Sequence, residues 1–454
     1  MKLKKTTPQK RNKKPWKKLN LVLSENSFLR YFNFAVLYLA QGVPEGITFF
    51  AIPAWLAMND KTPVEIASYA AVIGIPWSFK ILIAPLMDRF TYLPMGRKRP
   101  WVIFGQLGLI ISFLAIGMVE DPLNNLKGLM IAGFFISFFG AFQDVATDGM
   151  AVEIVPKDQQ ARANGLMWGA KTIGISLSLV VGTSLINLLG FSTAIPFMSI
   201  AFAFFVLAPI CFRERPGEKI MPWTKGEPSK YAKAVQLNSW IKLFKGLFKV
   251  VILPSSVFMI IAVLFNGMLN GLIETLLPIY TIQEIGWTNS SFSQAYSTTN
   301  LISGLFGMFV GGALVDFFGE KKMLIIYLIL TIALLIGIGL SSALWGYNQV
   351  IFSFVLLATL LATFISIAFF ATGMKLCFKT VAATQFTLYM AISNTGRAYG
   401  SGLVGKLKEL FEWEQIFLFI TISPLITILM LQFINFNKHK KSIENFKKKI
   451  VIQG

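Results

Sequence analysis

Residues 80–101 read KILIAPLMDRFTYLPMGRKRPW, and this stretch decides the fold. An apolar helix runs out at Pro85-Leu86-Met87, and Asp88-Arg89 follow directly. A short loop then carries Gly96-Arg97-Lys98-Arg99, and a second apolar run opens at Trp101. A carboxylate at a helix end beside a dense basic loop is the pattern of two membrane helices joined on the cytoplasmic side. An ordinary charged loop would show such letters once; here they recur. Asp316 closes a later apolar run within Gly312-Ala-Leu-Val-Asp316-Phe-Phe-Gly319-Glu-Lys-Lys. The tetrad Ala35-Val36-Leu37-Tyr38 likewise returns as Ala262-Val263-Leu264-Phe265, at nearly the offset that separates Asp88 from Asp316. Two matches in one register indicate a duplicated six-helix unit, and repeated halves are transporter architecture.

Composition agrees. Of 454 residues, 55% are hydrophobic and 14% charged, against about a quarter charged in a soluble domain. Apolar runs of about 20 residues recur along the chain, each long enough to cross a bilayer as a helix. Open strands would leave backbone groups unpaired in lipid, so helices are required. The runs place twelve spans at 34–58, 66–87, 101–119, 129–151, 166–189, 194–212, 257–282, 295–318, 323–344, 350–374, 387–406 and 416–436. The expected fold is an all-α polytopic membrane protein with two pseudo-symmetric six-helix bundles.

The net charge of +20 raises the question of nucleic acid. Its placement excludes that partner, because Lys and Arg sit in the tails and in alternate loops. The basic arm at 2–18, Arg97–Arg99, the 213–249 segment, Lys321-Lys322, Lys375 and the basic tail share one side, so both termini are expected in the cytoplasm. The arm resembles neither a cleavable signal nor a transit peptide and reads as a contact to anionic lipid headgroups. The division expected is a cytoplasmic arm (1–30), a six-helix bundle (31–212), a linker (213–252), a second bundle (253–437) and a basic tail (438–454). Within the linker, Trp240, Ile241, Phe244, Leu247, Phe248 and Val251 recur at helical spacing, with Lys242, Lys245 and Lys249 on another face. That pattern suggests an amphipathic helix on the membrane surface; a basic start to the seventh span is the alternative.

Cys211 and Cys377 lie in or beside apolar runs without a CxxC partner and read as packing residues. The one histidine, His439, is in the tail, which excludes a His-based metal site or a Ser-His triad. No metal or cofactor is expected.

At this point the chain resembles a major facilitator superfamily transporter, through Asp88-Arg89…Gly96-Arg97-Lys98-Arg99 and its weaker copy at 312–322. More narrowly it resembles the AmpG-type muropeptide permeases and the related acetyl-CoA transporters. The segments concerned are Phe79-Lys80 with Ala84-Pro85-Leu86-Met87-Asp88-Arg89, Gln143-Asp144-Val145-Ala146-Thr147-Asp148, Ala383-Thr384-Gln385-Phe386-Thr387-Leu388 and Gly396-Arg397. Gln41-Gly42-Val43-Pro44 and Asp148-Gly149 lean toward the acetyl-CoA branch. The resemblance implies an inner-membrane transporter importing an anionic cell-wall sugar-peptide with protons, working as a monomer.

Charges inside a bilayer cost several kcal/mol by insertion scales, so each buried ionisable residue is a functional candidate. By helical rise, Lys80, Asp144 and Lys171 lie at one depth, about 12 Å inside the cytoplasmic ends of their spans, and are expected to form a network. It serves either as a lock within the first bundle or as a substrate contact. Asp144 and Asp148 share one helix face, which makes Asp144 a proton-carrier candidate. Asp148 is assigned to a gating salt bridge with Arg97 or Arg99, with proton transfer the alternative; Asp88, Arg89 and Asp316 are likewise gate residues, Asp88 and Asp316 bridging the halves when the cytoplasmic side is shut. Glu45 and Glu274 are near-equivalent in the two halves, with no basic neighbour in their own helices. Unpaired, they would keep a proton and lead the proton-coupling candidates; the alternative is a hydrogen-bond acceptor for substrate. Arg397, near the midplane, would grip a carboxylate or phosphate; structural pairing with Glu45 or Glu274 is the alternative. Lys80, Lys171, Gln41 and Asn270 complete the substrate-binding set, with Asn266, Gln143 and Asn394 near the same level. Trp55, Trp77 and Trp168 offer stacking surfaces or serve as packing.

No GxxxxGK[ST] loop is present to bind ATP, so an ion or substrate gradient must supply the energy. Other cargoes compatible with the pattern are acetyl-CoA and siderophores. A non-transporting receptor is the alternative from another class. A membrane enzyme would need a catalytic base, usually histidine or a metal, and no span holds a histidine.

Overall fold

The computed structural model describes residues 21–156, 159–235, 247–377 and 382–443. Among them, twelve long helices follow one another. The first six are α1 Ser27–Met58, α2 Pro63–Arg89, α3 Arg99–Ile116, α4 Leu126–Ile154, α5 Gln160–Leu189 and α6 Phe191–Cys211. The second six are α7 Pro254–Glu284, α8 Asn289–Phe318, α9 Glu320–Leu340, α10 Asn348–Leu376, α11 Ala382–Leu410 and α12 Trp413–Gln432. Eleven are long and apolar enough to cross a membrane; α11 matches them in length but carries Arg397, Lys406 and Lys408. Most of the helices overrun the apolar stretches by several residues, α11 and α1 furthest, while α3, α6, α9 and α12 end one to four residues early. Hydropathy marks the lipid-facing part, whereas backbone hydrogen bonding continues through polar end turns. Caps then stop the helices: Asn26 accepts from Leu29 N–H, Asn125 from Gly128 N–H and Thr288 from Ser291 N–H.

Helices α1–α6 pack on one another and so do α7–α12, giving two bundles. The bundles meet along α2 with α11 and along α5 with α8. Gly74 lies against Ala398 and Gly304 against Thr172, so small residues let these helices approach closely. Large apolar side chains such as Leu82, Ile111, Phe204 and Phe309 are exposed on the outside, as lipid contact requires.

Both described chain ends lie on the side of the central linker. Arg213 N donates to Leu21 O (2.9 Å), and Asn435 N donates to Ser255 Oγ at the start of α7 (3.2 Å). This face is the linker side and the other the far side. Hydrogen bonds between the bundles gather toward the far side. Gln283 Nε2 donates to Lys61 O (2.7 Å), Thr183 and Ser293 share a bond of 2.6 Å, and Asn289 Nδ2 donates to Asn187 Oδ1 (2.8 Å).

The basic arm at 2–18, most of the amphipathic stretch (236–246) and the tail beyond 443 lie outside the described residues. Cys377 is half-buried, but Cys211 is exposed at the end of α6, so the packing role expected for it does not hold. His439 is buried against the end of α10, its ring Nε2 2.9 Å from Leu376 O.

Candidate functional site

Two glycines set the geometry at the centre. Gly42 on α1 lies against the backbone carbonyl of Lys171 on α5, and Gly271 on α7 against that of Arg397 on α11. A Cβ at either position would overlap the carbonyl oxygen. Three residues after each glycine stands a glutamate, Glu45 and Glu274. One local device, used once per bundle, therefore places a carboxylate beside a cation of the neighbouring helix. Both helices also loosen nearby into a wide turn, at Gly46–Ala51 in α1 and Tyr280–Glu284 in α7. Each turn follows a proline, Pro44 or Pro278, which lacks the N–H that a regular helix needs.

The resulting ion pairs are short. Lys171 Nζ is 3.0 Å from Glu45 Oε2, and Arg397 Nε is 2.5 Å from Glu274 Oε2. Arg397 Nη1 also lies 3.6 Å from Glu45 Oε1, and this contact joins the two bundles. α2 breaks at Phe79, between Pro63–Ser78 and Lys80–Arg89, and Lys80 Nζ sits 2.5 Å from Asp144 Oδ2 on α4. Lys80 and Lys171 stand over the Trp77 ring at 4.8 and 5.8 Å, and the Arg397 guanidinium stands 4.0 Å over Phe49. Three cations thus meet three carboxylates, and each charge is paired within a low-dielectric interior. Breaking one such pair leaves an uncompensated buried charge, which costs about 3–5 kcal/mol.

A cavity of about 660 Å³ opens beside this cluster, between the bundles. Glu45, Lys80, Lys171, Glu274 and Arg397 all line it. It extends toward the linker side, past Trp168 on α5 and Phe370 on α10, whose rings are 6.0 Å apart. A cavity of this size, with a few convergent charges and aromatic walls, suits a small organic ion.

Residues 34–401 match the sequence profile of the Major Facilitator Superfamily. The chain belongs to this superfamily. It is 24% identical over 405 residues to an anhydromuropeptide permease of Escherichia coli (strain K12), covering 87% of this chain and 78% of the permease. It is also 24% identical over 428 residues to a putative transporter AmpG 4 of Rickettsia conorii, covering 89% and 96%. A crystal structure of a point mutant of the nucleoside transporter NupG superposes with a TM-score of 0.67 at 13% identity, over 89% of this chain and 100% of that one. That likeness is one of fold. The chain is an AmpG-like major facilitator transporter.

In this superfamily member the signature loop is bound within the first bundle. Asp88 Oδ1 accepts from Arg97 Nη2 (3.1 Å) and Lys98 Nζ (2.5 Å), and Arg97 Nη1 reaches Glu153 on α4 at 2.8 Å. Glu214, buried just after α6, accepts from the backbone N–H groups of Arg97 (3.0 Å), Lys98 (2.8 Å) and Arg99 (2.5 Å). A carboxylate there offsets the positive end of α3.

Several expectations need correction. Glu45 and Glu274 are paired, because their cations come from α5 and α11, not from their own helices. Lys171 takes Glu45 as its carboxylate, leaving Asp144 to Lys80. Asp148 is bonded by the Tyr38 hydroxyl and not by Arg97 or Arg99. Arg99 is 0% exposed and donates to backbone carbonyls of Pro209 (2.5 Å), Ile210 (3.1 Å), Lys219 (2.7 Å) and Ile220, so here it anchors the linker to the first bundle. Asp88 is held inside its own bundle and Asp316 is exposed with no ion pair among the described residues; the cavity reaches toward the linker side here, so the bridge expected of them with that side shut does not come into play. Arg89 is exposed at the end of α2, over the Phe90 ring. Gln41 is 1% exposed, with neither amide atom hydrogen-bonded among the described residues, and does not line the cavity, whereas Asn270 does. Trp77 and Trp168 face the cavity, while Trp55 stacks on Phe191.

The sequence reading missed Tyr38, Glu153, Glu214 and Glu218. Glu218 is 1% exposed; its Oε2 accepts from Arg215 N–H (2.9 Å) and its Oε1 has no partner among the described residues. Burial, with Glu214 nearby, pushes its carboxyl up to about 7, against the pull of the Arg215 N–H, Ser229 and Arg99. A raised acid is protonated in the folded chain where the unfolded chain has already ionised, so stability falls as pH rises from about 4.5 to about 7. Glu218→Gln is therefore expected to unfold at higher temperature than the parent at pH 8, by about 1–3 kcal/mol of stability, with the gap closing toward pH 4.5. Melting curves of purified protein at pH 4.5 and 8 check this; equal melting at pH 8 contradicts it.

Proposed function

We propose that this AmpG-like transporter lies in the inner membrane with its linker side and both ends in the cytoplasm. As a monomer, it imports anhydromuropeptides together with protons. The observation that carries the reading is Glu45 held between Lys171 and Arg397. Protonating Glu45 removes one negative charge from a balanced set of six. Lys171 and part of the Arg397 guanidinium are then free to take a carboxylate of the cargo, so proton and anion enter together. Glu45 to Arg397 also joins the bundles, so its release loosens the centre as cargo arrives. Glu274 and Asp144 retain their own cations and hold the second and third positive charges in place.

The relative named as an anhydromuropeptide permease supports the cargo. So does the charge balance: protonating one glutamate frees one positive charge, which suits one carboxylate better than a phosphate cluster. The far-side bonds of Gln283, Asn289 and Ser293 would open to admit cargo from the periplasm. While the far side is open the linker side would be shut, with Asp88 and Asp316 each turned to basic groups of the opposite bundle.

Purified protein in liposomes tests the reading. Labelled GlcNAc-anhydroMurNAc-peptide should accumulate when the interior is alkaline and stop when the gradient is collapsed. Uptake of acetyl-CoA or a siderophore without muropeptide overturns the cargo, and absence of transport for every cargo favours a receptor.

A further inference from the structure

The two walls of the cavity differ in chemistry. Both bundles supply charge, but the indole rings come from the first, while nearly all the amides and hydroxyls come from the second. On α7, Asn266, Asn270 and Glu274 are spaced four apart and project from one face, all lining the cavity. By helical rise, Asn270 stands about 6 Å and Asn266 about 12 Å from Glu274 along the axis. Because α7 begins on the linker side, this ladder runs from the charge cluster toward that side.

Two other cavity amides are engaged. Asn394 Nδ2 donates to Trp77 O (3.1 Å), and Asn300 Nδ2 to Ser176 Oγ (3.3 Å). Asn266 differs: it is 5% exposed, and its Oδ1 has no hydrogen-bond partner among the described residues. A buried carbonyl oxygen without a donor is unfavourable and rare in native proteins, so something with an N–H or O–H belongs beside it. Water can fill that role until a better-fixed donor displaces it.

Resting on the anionic-cargo reading above, we propose that Asn266 and Asn270 form a neutral subsite that recognises amide or hydroxyl donors of the cargo, about 6–12 Å from its carboxylate. The carboxylate sits at Lys171 and Arg397; the uncharged part lies along α7. The subsite separates a cargo rich in N–H and O–H groups from a bare organic acid of equal charge, which the ion cluster alone would not do.

Tryptophan fluorescence reads binding directly, since Trp77 and Trp168 line the cavity. The probes are GlcNAc-anhydroMurNAc, which carries a lactyl carboxylate, acetamides and hydroxyls, and lactate, which carries the carboxylate with little else. The parent protein should bind the disaccharide acid at least tenfold more tightly than lactate. Asn266→Leu and Asn270→Leu should each cut that ratio three- to tenfold, leaving lactate affinity within twofold, and Asn266→Ser should restore part of it. Thermal unfolding of each variant shows that it is folded, and the serine variant keeps the test decisive if leucine disrupts α7. A parent that shows no preference, including one that binds neither probe, overturns the subsite, as does an unchanged ratio in both leucine variants. Binding needs no proton gradient, so a preserved ratio without gradient-driven uptake would sink the transport reading and leave the subsite standing.

Discussion

Uptake by Arg397→Ala is expected to fall at least a hundredfold, in a protein that is also less stable. Arg397 reaches carboxylates of both bundles, Glu274 at 2.5 Å and Glu45 at 3.6 Å. Removing it strands Glu274 in a buried site and leaves Glu45 with Lys171 alone. A stranded buried charge costs about 3–5 kcal/mol, and loss of a fixed guanidinium removes two-point recognition of an anion. Lysine should not rescue uptake, because a single ammonium cannot serve two carboxylates from one planar fork. The double variant Arg397→Ala/Glu274→Gln separates the two effects. It removes the stranded charge, so its melting temperature should recover toward the parent while its uptake stays at background. Uptake within threefold of the parent in either variant would remove Arg397 from the site.

Glu45→Gln should lose gradient-driven accumulation entirely yet retain exchange of cargo across the membrane within about tenfold. Glutamine keeps the shape and a hydrogen-bond acceptor for Lys171, but it cannot gain or lose a proton. Lys171 and Arg397 are then permanently short of one carboxylate, as in the protonated parent, so cargo still binds. What disappears is the step that returns the empty transporter through a balanced, deprotonated state. Counterflow of labelled against unlabelled cargo, measured beside net uptake, distinguishes these. Full accumulation by the variant would move coupling to another acid, with Asp144 and Glu274 next in line.

Much of the fold was legible because membrane helices advertise themselves by apolar length, and the basic loop at Arg97–Arg99 with its echo after Asp316 pointed to the duplication. The charged residues of the centre were legible one at a time, since a Lys or Glu inside an apolar run stands out. Their pairing was legible in part: depth brought Lys80 to Asp144 and left Arg397 to Glu45 or Glu274, but not Lys171 to Glu45. Glu274 meets a cation 123 residues away on another helix, and a single sequence shows neighbours only along its own helix. One signal was present and went unused: Gly-x-x-Glu occurs in both the first and seventh spans, at Gly42–Glu45 and Gly271–Glu274. A glycine one turn before a buried acid marks where the next backbone comes close, and that is where the cation is delivered. Arg99 misled for a different reason. Its charge suggested a gate, but its partners are backbone carbonyls of the linker, which carry no sequence signature. Glu214 escaped notice likewise, as its three partners are backbone N–H groups.

The most direct test of the central claim, that Glu45 exchanges a proton for the carboxylate of the cargo, is proton movement driven by cargo alone. Liposomes holding the parent protein and an internal pH dye, with no gradient imposed and the membrane potential clamped, receive GlcNAc-anhydroMurNAc-peptide outside. The account predicts internal acidification that follows cargo entry and is absent with Glu45→Gln. Cargo entry with no change in internal pH, or acidification that survives Glu45→Gln, would contradict it.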